Sequence, residues 1–172
     1  MEGDLFSKPA EYTIDSCSLM DIFNDDSWAS KKVNSGLWTK IAELIDQGVI
    51  ISHAEVLLEI KKDGTKGEEL FNWANANSPV FKDHAAEEGN IIRDMSKKYK
   101  VFVNNKVDNA HADPWLIAQA KHRNIKIITE ETFSNSSKPL KQKIPNVCGD
   151  PLFNVKYLNL LGLCKERNWV FQ

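Results

Sequence analysis

The stretch EYTIDSCSLMDIF, residues 11–23, carries the pattern on which the fold assignment depends. Its first half is apolar and β-prone, and it ends on the carboxylate of Asp15 before Ser16 opens a new apolar pattern with helical spacing. We therefore predict a short buried strand over residues 12–15, followed by a turn or two of helix. Asp15 could cap that helix through a backbone N–H, so the residue by itself has a structural as well as a functional interpretation.

The same alternation of strand and helix continues along the chain. Strands are predicted at residues 49–52, 101–103, 125–129 and, as an edge strand, 143–148; helices are predicted at 36–47, 53–62, 66–76, 83–98, from Asp113 onward, and near 151–162. Ser52 could cap the helix that follows its strand. Alternating strands and helices predict an α/β fold with a mostly parallel central sheet covered on both faces.

Composition restricts the class of protein. The chain has 172 residues, 42% of them hydrophobic and 27% charged, which predicts a single globular domain over residues 1–172 with a flexible N-terminal tail at 1–10. The net charge of −2 excludes a uniformly basic nucleic-acid binder, although Lys and Arg cluster locally. Three cysteines without a C-x-x-C pair argue against a disulfide framework and a zinc site, and favour a cytoplasmic setting. No stretch is long and apolar enough for a membrane span.

Acidic residues follow two of the predicted strands. Asp15 ends the first strand, and Glu130 and Glu131 follow the strand at 125–129. In open α/β sheets, ligands bind in the crevice beyond the carboxyl ends of the strands. These carboxylates are therefore expected to lie where such a sheet has its site.

Two further carboxylates belong to helices that start at the same end of the sheet. Glu59 follows Glu55 by four residues and could be part of a solvated helix face. Asp113 precedes Pro114, which suits the first turn of a helix, so Asp113 could be an N-cap. Converging carboxylates repel one another unless a cation lies between them. Oxygen ligands without His or Cys point to Mg²⁺ or Mn²⁺, and such a site could activate a water against a phosphodiester.

The remaining reactive side chains have ordinary interpretations. The four histidines lack the spacing of metal ligands and are interpreted as surface or capping residues: His53, His84, His111 and His122. Cys17 is interpreted as a small buried thiol, because no positioned base accompanies it. A phosphatase with a D-x-D nucleophile is disfavoured, because the position two residues after Asp15 is Cys17.

Four segments together resemble a PIN-domain ribonuclease, from about residue 11 to about residue 165. They are YTIDSCSL, VLLEIKK, DPWLIAQA and IKIITEETF. The resemblance implies a PIN-like three-layer α/β/α fold and, position by position, the catalytic and metal-binding acids Asp15, Glu59, Asp113 and Glu131. Family members commonly have Asp at the last position, so Glu130 is the alternative fourth acid. Ser16 resembles the residue that orients the first Asp, and Thr129 the hydroxyl that supports the last acid.

The resemblance also implies a biological role. The chain is similar to a toxin-like subfamily of bacterial and archaeal PIN proteins, which implies a Mg²⁺- or Mn²⁺-dependent endoribonuclease acting on RNA. An antitoxin protein and a homodimer are the implied partners. A PIN-like binding or scaffold module without turnover is the alternative. Trp115 is interpreted as a core or dimer-interface residue, with stacking on an unpaired base as the second possibility.

Overall fold

A computed structural model describes residues 9–62, 67–104 and 111–171 of the chain. Its strands are β1 (Tyr12–Ile14), β2 (Ile50–His53), β3 (Phe81–Lys82), β4 (Lys126–Ile128) and β5 (Tyr157–Leu158). Its helices are α1 (Ser16–Phe23), α2 (Ser35–Asp46), α3 (Ala54–Lys62), α4 (Glu68–Ala76), α5 (Ala86–Lys98), α6 (Lys100–Val103), α7 (Asp113–Arg123), α8 (Ile144–Cys148) and α9 (Leu160–Glu166). Residues 1–8 of the expected N-terminal tail lie outside the described ranges.

Within the described residues, the strands form one sheet in the order β3-β2-β1-β4-β5, and every pair is parallel. Helix α7 packs against β1, β2 and β4, and α2 packs against β2. The predicted α/β class with a parallel sheet is confirmed, and the arrangement is consistent with three α/β/α layers. None of the helices in the described ranges is both long and apolar enough to cross a bilayer.

A buried polar network ties the two central strands to α7. The Thr13 hydroxyl donates to Gln119 Oε1 at 2.6 Å, and Gln119 Nε2 donates to the Ser52 carbonyl at 3.3 Å. The Ser52 hydroxyl in turn donates to the Ile14 carbonyl at 2.7 Å. Buried polar groups are costly unless they are hydrogen-bonded, so these bonds fix the position of α7 on the sheet. Ser52 thus joins strands instead of capping α3.

The predicted strand at residues 101–103 is wrong, because these residues form α6. The run of β-branched and aromatic residues favours a strand locally. Here, however, the Val103 N–H donates to the Tyr99 carbonyl and the Asn104 N–H to the Lys100 carbonyl, so the turn extends the helical path after α5. Phe102 buries its ring in the core from that turn. Tertiary packing therefore outweighs the local preference.

The predicted edge strand at 143–148 is also wrong, because residues 144–148 form α8. Pro145 stands in the first turn of α8, where a backbone N–H would have no partner within the helix, so the lack of an N–H costs no helical hydrogen bond. The sheet edges are instead β3 and β5, which the sequence pattern did not predict because each has only two residues.

The helix predicted near 151–162 begins later than expected, at Leu160. Asn159 sets this start, since its Oδ1 accepts from the Gly162 N–H at 2.8 Å. The residues before it pair with β4 as β5.

Asp150 follows α8 and contacts the end of α5, so it provides a test of the packing between these two helices. Its carboxylate lies 2.5 Å from Lys98 Nζ and accepts from the Tyr99 hydroxyl at 2.7 Å and from the Leu152 N–H at 3.0 Å. The hydrogen bond with Lys98, followed by those from Leu152 and Tyr99, lowers the pKa of Asp150 to about 2. Because its folded pKa is lowered, the Asp150 carboxylate stabilises the fold at pH values above the unfolded pKa of 3.8. This stabilisation is lost as the pH falls through about 2.

We expect Asp150→Asn to lower the free energy of unfolding by roughly 1–2 kcal/mol at pH 7, because the charged acceptor is lost. The difference from wild type should shrink below about pH 4, where the unfolded carboxyl takes up its proton. Urea unfolding at pH 3, 5 and 7 measures the difference in the free energy of unfolding between the two proteins. A difference that does not change with pH would contradict the role of the charge.

Candidate functional site

The carboxyl ends of β1 and β4 meet at one edge of the sheet. The Asp15 N–H donates to the Ile128 carbonyl at 3.1 Å, so the residues that follow the two strands start side by side. Asp15 comes directly after β1, and Thr129 and Glu131 come after β4. The expected meeting of these segments at the sheet edge is confirmed.

Asp15 is the most deeply buried carboxylate of this edge, with 2% of the residue exposed. It is the N-cap of α1, and its Oδ1 accepts from the Ser18 N–H at 2.7 Å. Its Oδ2 is buried and has no hydrogen bond of standard geometry among the described residues. The structural interpretation of Asp15 as a cap is therefore correct, and it leaves one carboxylate oxygen for another purpose.

The environment of Asp15 opposes its negative charge. Burial raises the pKa of Asp15 to about 6, and the carboxylate of Glu131 acts in the same direction. The hydroxyl of Thr129 and the amide and hydroxyl of Ser18 lower the pKa in part. The Asp15 carboxylate is therefore ionised at neutral pH, although burial makes its ionisation costly. A cation at Oδ2 would relieve this desolvation cost.

Glu59 reaches the same edge from α3. Its Oε2 accepts from the Ser16 hydroxyl at 2.7 Å, and the side chain is partly buried. The resemblance assigned Ser16 to orienting Asp15, whereas the structure places the Ser16 hydroxyl on Glu59. Because Ser16 follows Asp15 directly, this bond links the α3 acid to the end of β1.

Asp113 is the first residue of α7, and Ala112 occupies the N-cap position. The expectation that Asp113 caps this helix is wrong, because the helix begins one residue earlier than the Asp-Pro pair suggested. Asp113 is 24% exposed in its side chain, and its Oδ2 lies 3.9 Å from His111 Nε2, which is longer than a hydrogen bond. The proximity of His111 to Asp113 was not predicted, although its position two residues before Asp113 was a signal.

The two glutamates after β4 have different roles. The Glu131 N–H donates to Thr129 Oγ1 at 3.1 Å, and Glu131 Oε2 accepts from the Ile144 N–H at 2.9 Å. Glu130 Oε1 accepts from the Leu160 N–H at 2.7 Å, at the start of α9. The pKa of Glu130 is raised overall: burial and the Asp21 carboxylate raise it, and the hydrogen bond from the Leu160 N–H lowers it in part. The Glu131 carboxylate, in contrast, raises the pKa of Asp15. The electrostatics therefore favours Glu131 as the acid that accompanies Asp15.

Cys17 lies within electrostatic reach of all four expected acids. Burial around the sulfur raises the pKa of the Cys17 thiol to about 12, and four carboxylates add to the shift: Asp15, Glu131, Asp113 and Glu59. The residue as a whole is exposed, so the expectation of a buried thiol is wrong. Such a high pKa keeps the thiol protonated and argues against a nucleophile. The four acids, which lie far apart in the sequence, thus all act electrostatically on one side chain.

The donor set suits a hard cation, and the buried Oδ2 of Asp15 is an oxygen with no hydrogen bond of standard geometry from the part of the chain that the structure describes. In the described part of the chain, no three His, Cys, Asp or Glu side chains lie close enough together to hold a metal ion as they stand. The residues therefore fit Mg²⁺ or Mn²⁺ in their chemistry, while their present spacing remains wider than a closed coordination shell.

Two further groups lie near carboxylates of the helices and loops at this end of the sheet. Lys143 Nζ lies 3.9 Å from Glu131 Oε1. His53, expected at the surface or at a cap, is fully buried, and its Nδ1 accepts from the Glu55 N–H at 3.1 Å at the start of α3. The capping role is confirmed, and the surface position is wrong.

The fold and the edge define an α/β protein with an acidic crevice at the carboxyl ends of a parallel sheet. The sequence model of one family, Domain of unknown function (DUF4411), matches residues 12–171. The chain therefore belongs to the DUF4411 family, whose description names no activity. No curated protein and no solved structure matches the chain. The resemblance to PIN-domain ribonucleases stays a prediction.

The burial of Asp15 predicts a pH-dependent stability in the absence of divalent ions. Its folded pKa of about 6 exceeds the usual 3.8, so its contribution favours folding below about pH 4 and is lost as the pH rises through about 6. Asp15→Asn keeps a capping acceptor and removes the charge. We expect the variant to be more stable than wild type at pH 8 by on the order of 1–3 kcal/mol, with the gap closing near pH 4.

Urea unfolding in EDTA at pH 4, 6 and 8 measures this difference. Asp94→Asn is the matched control, because Asp94 forms an exposed i,i+3 pair with Lys97 on α5 and should have little effect on stability. An Asp15→Asn protein no more stable than wild type at pH 8 would refute the assignment of an unfavourable buried charge.

Proposed function

We propose that the chain is a Mg²⁺- or Mn²⁺-dependent endoribonuclease of the PIN type, acting on RNA in the cytoplasm. Asp15, Glu59, Asp113 and Glu131 are the metal-binding and catalytic acids. The observation that carries the proposal is that the end of β1 is hydrogen-bonded to Glu59 through the Ser16 hydroxyl and to the end of β4 through the Asp15 N–H. In addition, four carboxylates each raise the pKa of the Cys17 thiol, which directly follows this point: Asp15, Glu131, Asp113 and Glu59. Repelling carboxylates that share one region favour a divalent cation among them.

When bound, such an ion lowers the pKa of a water and offsets charge on the phosphate. The protein's own residues prepare that chemistry. Asp15 presents Oδ2, which has no hydrogen bond of standard geometry within the described ranges, and Ser16 holds the Glu59 carboxylate through its hydroxyl. Thr129 fixes the backbone of Glu131. These contacts restrict Asp15, Glu59 and the backbone of Glu131 before a substrate phosphate arrives, which reduces the ordering that binding requires.

Lys143 supplies a positive charge at the border of the acids, with 44% of its side chain exposed. A lysine in this position would contact the RNA backbone and make affinity fall with salt. No covalent intermediate is needed, in agreement with the high pKa of the Cys17 thiol.

The biological role we propose is that of the toxin in a toxin-antitoxin pair. The acidic crevice would accept a basic side chain of an antitoxin protein, which would compete with the cation. Homodimerisation accompanies this role in the family that the chain resembles. Co-purification of the chain with a small co-encoded protein that suppresses its ribonuclease activity would support this role, whereas an unchanged activity would count against it.

A scaffold module without turnover is the second candidate. Its specific support is that no three potential ligands in the described ranges lie close enough to hold an ion, together with Glu where the family that the chain resembles commonly has Asp. Thermal unfolding with increasing Mn²⁺ separates the two candidates, because an ion that binds only the folded state raises the midpoint. An unchanged midpoint favours the scaffold.

Cleavage of a fluorescently labelled single-stranded RNA in Mn²⁺ tests the enzyme directly. Asp15→Asn and Asp113→Asn should each lower the rate by at least about 100-fold, because each removes a charge that acts in the transition state. Asp94→Asn should retain the wild-type rate, and EDTA should stop cleavage. Circular dichroism checks that each variant is folded. Full activity of both acid variants would refute the site.

The two glutamates after β4 give a matched pair of variants. Glu131→Gln should reduce the Mn²⁺-induced rise of the unfolding midpoint and the cleavage rate. Glu130→Gln should leave both unchanged, since its side chain accepts from the Leu160 N–H at the start of α9 and a Gln oxygen can still accept that hydrogen bond. The opposite pattern would identify Glu130 as the fourth acid.

A further inference from the structure

The carboxyl edge of the sheet continues beyond the acids. Thr13 pairs with Ile51, so the residue after β1, Asp15, stands in register with His53 at the end of β2. His53 pairs in turn with Lys82 of β3, and His84 follows two residues later. Since neighbouring strands are about 4.8 Å apart, this second part of the edge lies about 5–10 Å from Asp15. That distance is within reach of a neighbouring nucleotide of the same strand.

His84 is the exposed member of this second part, with 41% of its side chain accessible. Its Nε2 lies 3.0 Å from Glu55 Oε1. An ionised carboxylate only accepts hydrogen bonds, so His84 Nε2 carries the proton and the ring is oriented by Glu55. Glu55 precedes Glu59 by one turn of α3, which places the two side chains on the same face of that helix. The oriented imidazole is therefore connected, through Glu55, to the helix face that carries Glu59.

The buried ring of His53 and the partly exposed ring of Trp115 pack against His84. His53 Nδ1 accepts from the Glu55 N–H, so its Nε2 carries the proton and donates to Glu88 Oε2 at 3.2 Å. The Trp115 ring lies nearly parallel to the fixed His53 ring, at 16° and 5.6 Å between centroids. The His84 ring stands at 83° to both, 4.7 Å from His53 and 4.3 Å from Trp115.

The arrangement is more specific than core packing requires. A histidine serving only as packing has no need of an exposed ring held in place by a carboxylate and two further rings. Aromatic and imidazole rings are the surfaces on which proteins stack unpaired bases, and a carboxylate can accept from an exocyclic amino group of a base. Glu55 is still 20% exposed in its side chain, so it is accessible to such a group.

We propose that His84 and Trp115, with Glu55, form a nucleobase subsite that binds the base next to the scissile phosphate of single-stranded RNA. The proposal rests on the proposed ribonuclease function and adds to it the substrate-binding surface over β2 and β3. The acids over β1 and β4 act on the phosphate, and the rings over β2 and β3 take the base. The subsite would favour unpaired RNA, whose bases are available for stacking.

The test compares two oligonucleotides of equal length and charge. One is a single-stranded RNA with bases, and the other has the same sugar-phosphate backbone with every base removed. Fluorescence anisotropy in EDTA measures binding by the full chain without cleavage. Wild type should bind the base-bearing RNA tighter, and His84→Ala should reduce that preference by roughly 10-fold, the effect of losing one stacking contact. Affinity for the abasic strand should not change.

His122→Ala is the matched control, because His122 also faces a glutamate, Glu87, at 4.0 Å, but stands at the opposite end of α7 from Trp115. It should leave the preference for bases unchanged. Trp115→Phe should retain most of the preference and Trp115→Leu should lose it. If Trp115→Leu fails to fold, the exposed His84 still decides the question. An unchanged preference in His84→Ala, or no preference in wild type, overturns the subsite and leaves His84 for contact with a protein.

The result is separable from the ribonuclease proposal. Cleavage by wild type in Mn²⁺ together with an unchanged base preference in His84→Ala would retain the nuclease and reject the subsite. A base preference that depends on His84, without any cleavage, would retain a nucleic-acid-binding surface and reject the nuclease.

Discussion

The burial of the Asp15 carboxylate is the constraint on which the rest of the site depends. The residue ends β1 and caps α1 with one oxygen, while the other is buried without a standard hydrogen bond among the described residues. Burying a charge in this way costs free energy unless an opposite charge or a donor is supplied. A fold that only needed a helix cap could use Ser or Thr at this position. The retained carboxylate therefore favours a cation-binding role over a purely structural one.

The positions of the other acids follow from how the elements are joined to β1. Ser16, next to Asp15, holds Glu59 of α3, and the Thr13–Gln119–Ser52 network holds α7 over β1 and β2. Asp113 is carried to the edge by that helix. Each acid thus reaches the crevice through a hydrogen bond between elements, so changes in these polar contacts would move the site without changing any acid.

Much of the candidate site was predictable because its residues stand next to strong local signals. Asp15 follows an apolar strand, Asp113 precedes Pro114, and Glu131 follows the strand that becomes β4. The predictions failed where the local signal was short or ambiguous. Residues 101–103 and 144–148 have strand-like composition and fold as helices, because their backbone bonds and packing are set by α5 and by the first turn at Pro145. The edge strands of two residues each had no periodicity that could identify them.

The sequence by itself determined the α/β class and the central strands, and it placed Asp15, Asp113 and the Glu130–Glu131 pair next to those elements, since these features depend on apolar runs and on residues adjacent to them in the chain. Only the tertiary structure decided which glutamate after β4 faces Asp15, which acid Ser16 holds, and that His53 is buried beneath Trp115 and His84. Those facts depend on distances between residues remote in sequence, where burial and hydrogen bonding act. A linear pattern can place a side chain at the end of an element, but the direction of that side chain depends on what packs against it.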